Sequence, residues 1–189
     1  SCLSVTVNKK AGYISLLDKS GKLLLKEWPE KARMNVHGDS VSAYCRFQLQ
    51  DEEALYGLGQ FRDNLMNLRN AKRELVQFNT QAAVPVIYST GKWGLFWDNP
   101  SRTIYADNNA GMSFVSDYGR IVNYYLFVGD GMDKLVAAYR SLTGVAPMLP
   151  VWALGYHQSR NRYATQKEVM EVAKRMKEEN IPASTIFID

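Results

Sequence analysis

Cysteine is almost missing from this chain. Cys2 and Cys45 are too few for a disulfide framework, and neither has metal-ligand spacing with the other or with His37 and His157. Neither disulfide nor metal is expected, and no cofactor is implied. No apolar run approaches the roughly 20 residues that cross a bilayer, and the first residues lack a charged-then-apolar leader pattern, which excludes a helical membrane anchor in the segment. The chain therefore reads as soluble, with periplasmic, extracellular and cytoplasmic locations all open. The 23 Lys and Arg against 19 Asp and Glu are spread without a basic run, so a phosphate backbone has nothing to track and nucleic acid is excluded as a partner. Low-complexity tracts are absent too. With 46% hydrophobic and 22% charged residues in 189, the chain should fold as one large domain or as one domain and part of another.

What is present first is strand signal. From Ser1 to about Tyr125, short alternating or apolar runs are separated by Gly, Asp, Asn and Ser clusters. Tyr13 to Leu17 and Lys22 to Leu25 flank Asp18-Lys19-Ser20-Gly21, a predicted hairpin with Gly21 at the φ > 0 position. A second hairpin is predicted from Val84 to Trp97 with Gly91 at its turn. Between them, alternation puts Cys45, Phe47 and Leu49 on one face and Tyr44, Arg46 and Gln48 on the other. Ile121 to Val128 reads as a strand covered on both faces. Many short strands with turns between them predict a β-sandwich.

The pattern then changes. Asp130 is positioned to cap a helix over Met132 to Leu142, with Leu135, Val136 and Tyr139 apolar at helical spacing and Gly144 beyond its end. Pro147 and Pro150 mark an extended connection, which sets domains at 1–146 and 147–189. Trp152 to Gln158 is a strand candidate. Thr165 and Glu168 have capping-box spacing before a helix whose Val169, Val172, Ala173 and Met176 make one apolar stripe, stopped by Asn180 and Pro182. Ala183 to Asp189 resumes as a strand, so residues 152–189 form a βαβ unit with parallel strands. Such a unit alone leaves sheet edges and an apolar face uncovered, so the chain reads as ending inside a domain and is expected to self-associate or be locally disordered there.

Three segments resemble glycoside hydrolase family 31. They are Leu55-Tyr56-Gly57-Leu58-Gly59-Gln60; Pro85 to Asn99 with Ser89, Gly94, Phe96, Trp97 and Asp98; and Leu154 to Tyr163 followed by Ile181-Pro182 and Ile186-Phe187-Ile188-Asp189. The resemblance implies a mainly β chain, a galactose-mutarotase-like sandwich followed by the first βαβ unit of a truncated (β/α)8 barrel. It further implies retaining hydrolysis of α-linked glucosides or xylosides by an aspartate nucleophile and an aspartate acid/base. Both are expected on later barrel strands, beyond Asp189. No catalytic residue is therefore assigned here, since retention needs two carboxyl groups roughly 5 to 5.5 Å apart, and the chain alone is expected to be inactive.

By the same resemblance Asp189 is a carboxylate for sugar hydroxyls in the −1 subsite, at the strand end where barrel enzymes keep their sites. Asn161, within Ser159-Arg160-Asn161-Arg162-Tyr163, stands where many family α-glucosidases carry an aromatic, so it hydrogen-bonds where they stack, and an α-xylosidase or another pocket fits as well as an α-glucosidase. Asn79 and Thr80 belong to a loop expected to line the +1 side, or are ordinary turn residues satisfying local backbone groups. Trp93, Trp97, Trp152 and Tyr156 are read as core, and His157 as a packed, hydrogen-bonded side chain. Gly57 and Gly59 are not a phosphate loop, because no helix follows them. The expected partners are an α-linked oligosaccharide and the remainder of the barrel, with the oligomeric state open. The rival reading is a non-catalytic carbohydrate-binding or interaction sandwich.

Overall fold

The computed structural model describes residues 3–29 and 34–188. The chain divides into two compact units, Ser1–Gly144 and Val145–Asp189. Among the described residues the first unit contains β1 (Leu3–Asn8), β2 (Tyr13–Asp18), β3 (Leu23–Glu27), β4 (Met34–His37), β5 (Ser40–Gln48), β6 (Leu55–Gln60), β7 (Lys72–Leu75), β8 (Ala82–Ser89), β9 (Trp93–Trp97), β10 (Thr103–Asn108), β11 (Gly111–Ser116), β12 (Tyr124–Val128) and α1 (Met132–Thr143). One sheet runs β1-β2-β3-β5-β11-β10-β7, with β4 also on β5; the other runs β12-β9-β8-β6. All pairings in both are antiparallel.

Alternation builds this sandwich. On β5, Ala43, Cys45 and Phe47 are buried while Tyr44, Arg46 and Gln48 are half-exposed. On β9, Trp93, Leu95 and Trp97 point into the core shared with Leu16, Phe47, Leu55, Tyr105 and Phe114. The Trp97 and Phe114 rings stack at 5.3 Å, and each such burial stabilises by about 1.5 to 3 kcal/mol. The outer face of the smaller sheet is covered as well. There α1 buries Leu135 and lays Tyr139 on Phe96 at 5.6 Å, and the Phe127 ring fills the space over Gly94. Coverage on both faces explains why β9 has no polar residue.

Several local expectations give way to tertiary contacts. The hairpin from β8 to β9 turns through Thr90 and Gly91, as expected, closed by Lys92 N–H to Ser89 O at 3.1 Å, while φ > 0 falls on Lys92. A Cβ on Gly91 would lie 3.0 Å from the Glu53 carboxyl carbon, so that side chain would have to give way. Strand β12 begins only at Tyr124, because Gly119 N–H donates to Val41 O at 2.8 Å and holds the preceding loop on another strand; Ile121 is left 73% exposed. Asp130 does not cap α1. Gly131 holds the cap position, and the Asp130 carboxylate pairs with Lys92 Nζ at 3.2 Å.

The second unit contains a 3₁₀ turn at Val151–Leu154, then β13 (Tyr156–Gln158), α2 (Gln166–Glu178) and β14 (Ala183–Ile186). Strands β13 and β14 are parallel, with His157 opposite Thr185 and Gln158 opposite Ile186. Residues 151–154 leave the predicted strand because Ala153 N–H closes on Pro150 O at 3.0 Å. Gly155 then passes so near Ser184 that a Cβ would meet its Oγ at 1.9 Å. Trp152 and Tyr156, read as core from sequence, are about half exposed, whereas Trp93 and Trp97 are fully buried.

Candidate functional site

The crossover that makes β13 and β14 parallel puts both C-terminal ends on one rim. Phe187 N–H donates to Gln158 O at 2.9 Å and extends the pairing one residue past β14. The His157 ring lies on that of Phe187 at 5.6 Å, and its Nε2 is 3.2 Å from Ala153 O, so His157 is packed and hydrogen-bonded. Asp189, expected from the resemblance to bind the −1 sugar, lies outside the described residues.

The loop 159–165 carries the other rim positions. It is anchored on one side by Tyr163, which is buried, takes a hydrogen bond from Gln158 Nε2 at 3.3 Å, and holds Arg160 over its ring at 5.1 Å. The helix start anchors the other side. Thr165 Oγ1 accepts from Glu168 N–H at 3.2 Å, while the Glu168 carboxylate returns to Ala164 N–H at 2.9 Å, one residue before the position a capping box uses. Asn161, two residues before Tyr163, is exposed and makes no hydrogen bond among the described residues.

Asn79 and Thr80 belong to the first unit. They are the central pair of a two-residue turn closed by Gln81 N–H to Phe78 O at 3.2 Å, with Thr80 at φ +77. Their exposed side chains make no hydrogen bond among the described residues, so they are not what satisfies the local backbone. That work falls to residues sequence reasoning passed over. Gln77 exchanges two hydrogen bonds with the Ala83 backbone, at 2.8 and 3.1 Å, and Gln81 Nε2 donates to Val76 O at 2.8 Å. The pairs Gly59↔Ala83 and Gln60↔Ala82 set this turn beside the end of β6.

A cleft of about 520 Å³ opens at that same end, lined by Tyr56, Phe61, Asp63, Met66 and Arg73 among others. In it the Asp63 carboxylate receives the Arg73 fork, and that hydrogen bond holds its pKa below the ordinary carboxylate value. Glu53 and Asp107, unlike Asp63, are buried carboxylates of the sandwich. Glu53 takes Ser89 Oγ at 2.6 Å and Trp93 Nε1 at 2.9 Å, and Asp107 takes Arg69 Nε at 2.9 Å. No local spacing announces these partners, which lie 36, 40 and 38 residues apart. Each carboxylate accepts hydrogen bonds that hold loops of the sandwich.

Residues 1–105 match the glycosyl hydrolase 31 N-terminal galactose mutarotase-like domain, and residues 146–189 match the glycosyl hydrolases family 31 TIM-barrel domain. The chain is 32% identical to an alpha-xylosidase of Saccharolobus solfataricus over 99% of its own length and 27% of that protein. It is 28% identical to alpha-glucosidase 2 of Bacillus thermoamyloliquefaciens over 98% of its length and 25% of that protein. Its fold superposes with a TM-score of 0.89 and 30% identity on a GH31 alpha-xylosidase from a soil metagenome, solved with xylose, covering all of this chain and 31% of that one. The chain thus spans less than half the length of these relatives.

Proposed function

The chain belongs to glycoside hydrolase family 31, and on that premise we propose that it forms the N-terminal part of a retaining α-glycosidase hydrolysing α-linked glucosides or xylosides. The carrying observation is the parallel β13–α2–β14 unit with its strand ends on one rim, within residues that match the family's barrel. A free-standing binding sandwich has no use for a capped crossover helix between parallel strands. A barrel repeats that unit.

In this reading the sandwich ends at residue 146 and the barrel begins at 147. Asp189 and Asn161 bind the −1 sugar, Asp189 as a charged acceptor worth on the order of 1.5 to 3 kcal/mol, while Asn79 and Thr80 meet the +1 sugar. The nucleophile and the acid/base come from the rest of the barrel, so turnover belongs to the complete protein. Its assay on aryl α-xylosides and aryl α-glucosides tests the reading. Release of the aryl group by the complete protein and none by residues 1–189 alone is expected; an inactive complete protein, or an active fragment, contradicts it.

A further inference from the structure

Seven non-glycine residues among those described have φ > 0: Leu58, Asn64, Asn70, Thr80, Lys92, Arg162 and Asn180. Most have a local reason. Asn tolerates the left-handed region, and Asn180 follows the end of α2. Leu58 sits in the register shift of β6, and Thr80 and Lys92 sit at turns closed by Gln81 N–H to Phe78 O and by Lys92 N–H to Ser89 O. Arg162, at φ +66, has none of these. No backbone hydrogen bond closes a turn around it, and it lies in no helix, strand or bulge.

Its side chain is equally unaccounted for. Arg162 is exposed and makes no hydrogen bond, ion pair or ring contact among the described residues, whereas Arg160, two positions earlier, is spent on the Tyr163 ring. Glycine would take this backbone conformation without penalty. The loop instead carries a long cation there, next to the buried Tyr163 and in the connection that leaves the C-terminal end of β13. Backbone strain of this kind clusters at binding and catalytic sites.

We propose that Arg162 is a substrate-binding residue whose guanidinium fork donates to two adjacent hydroxyl oxygens of the α-linked oligosaccharide, and so sets preference for a sugar over a simple aryl leaving group. This rests on the proposed α-glycosidase function. Arginine fits the task because its planar donors are pre-arranged and its charge strengthens each hydrogen bond.

The test uses the complete protein carrying Arg162→Gly and Arg162→Lys, with kcat and KM measured on an aryl α-glycoside and on the matching α-linked disaccharide, and with thermal melting in parallel. For Arg162→Gly the expected result is a melting temperature equal to or above wild type, with kcat/KM on the disaccharide down roughly tenfold to hundredfold and a smaller loss on the aryl substrate. Lysine, which keeps the charge without the fork, should fall between. Kinetics of Arg162→Gly within twofold of wild type on both substrates would overturn the proposal. So would equal losses on both, or a lowered melting temperature matching the loss, since these mark a structural role. A wild-type protein inactive on both substrates overturns the α-glycosidase reading itself, and this inference with it.

Discussion

Arg73 and Asp63 meet through two parallel hydrogen bonds, Nε to Oδ2 and Nη2 to Oδ1, both 2.8 Å long. The Arg73 side chain is 5% exposed and the Asp63 side chain 34%. The guanidinium also lies over the Phe61 ring at 4.5 Å and donates to Leu65 O at 3.0 Å. This one pair therefore fixes the loop that bounds the cleft beside β6.

Because the pair holds the Asp63 pKa down, its stabilisation is complete above the ordinary carboxylate value of 3.8 and is lost as pH falls through the lower folded value. Asp63→Asn should destabilise the sandwich by about 1 kcal/mol at pH 7, a figure already reduced for solvent screening. Denaturant unfolding of both proteins from pH 7 to 2 checks this. Their difference should vanish at the acid end, and a difference that stays constant contradicts the ion-pair account.

Glu53 offers a sharper case, because both its oxygens accept: Oε1 from Gln50 N–H at 3.1 Å, Oε2 from Ser89 Oγ and the Trp93 indole. A glutamine must turn its NH₂ toward one donor or the other. Glu53→Gln is expected to cost about 2 kcal/mol, and adding Trp93→Phe should recover none of that, since the smaller ring leaves space unfilled in the core. Urea unfolding of the single and double variants reads both values.

At Gly59, conformation and space are both demanding, since φ is +93 and a Cβ would lie 1.9 Å from Ala82 O. Gly21 has φ +82 with open space around it. Gly59→Ala should cost about 3 kcal/mol and Gly21→Ala about 1 to 2 kcal/mol. Equal melting shifts for the two would mean that the close approach of β6 to β8 is not what constrains Gly59.

Periodicity sufficed wherever a residue's neighbours in sequence are also its environment. The alternation of Cys45 and Phe47, the Gly21 hairpin and the Thr165 cap all read directly from the chain. It failed where distant contacts decide. Asp130 leaves the helix cap to Gly131 and pairs with Lys92 across the hairpin. The site divides in the same way. Asn161, Asn79 and Thr80 are proposed through family resemblance, which says nothing of their geometry; the strain at Arg162 is invisible to any pattern of residue types. Gln77 and Gln81, which brace the Asn79–Thr80 turn, gave no signal because a glutamine that replaces a strand partner looks like any polar loop residue.

The most direct test follows the anomeric protons of the sugar released from an aryl α-xyloside and an aryl α-glucoside by ¹H NMR. The complete protein should liberate the α-anomer first, with β appearing only by mutarotation, as a carboxylate pair about 5 to 5.5 Å apart requires. Initial appearance of the β-anomer, or no sugar from either substrate, would contradict the account.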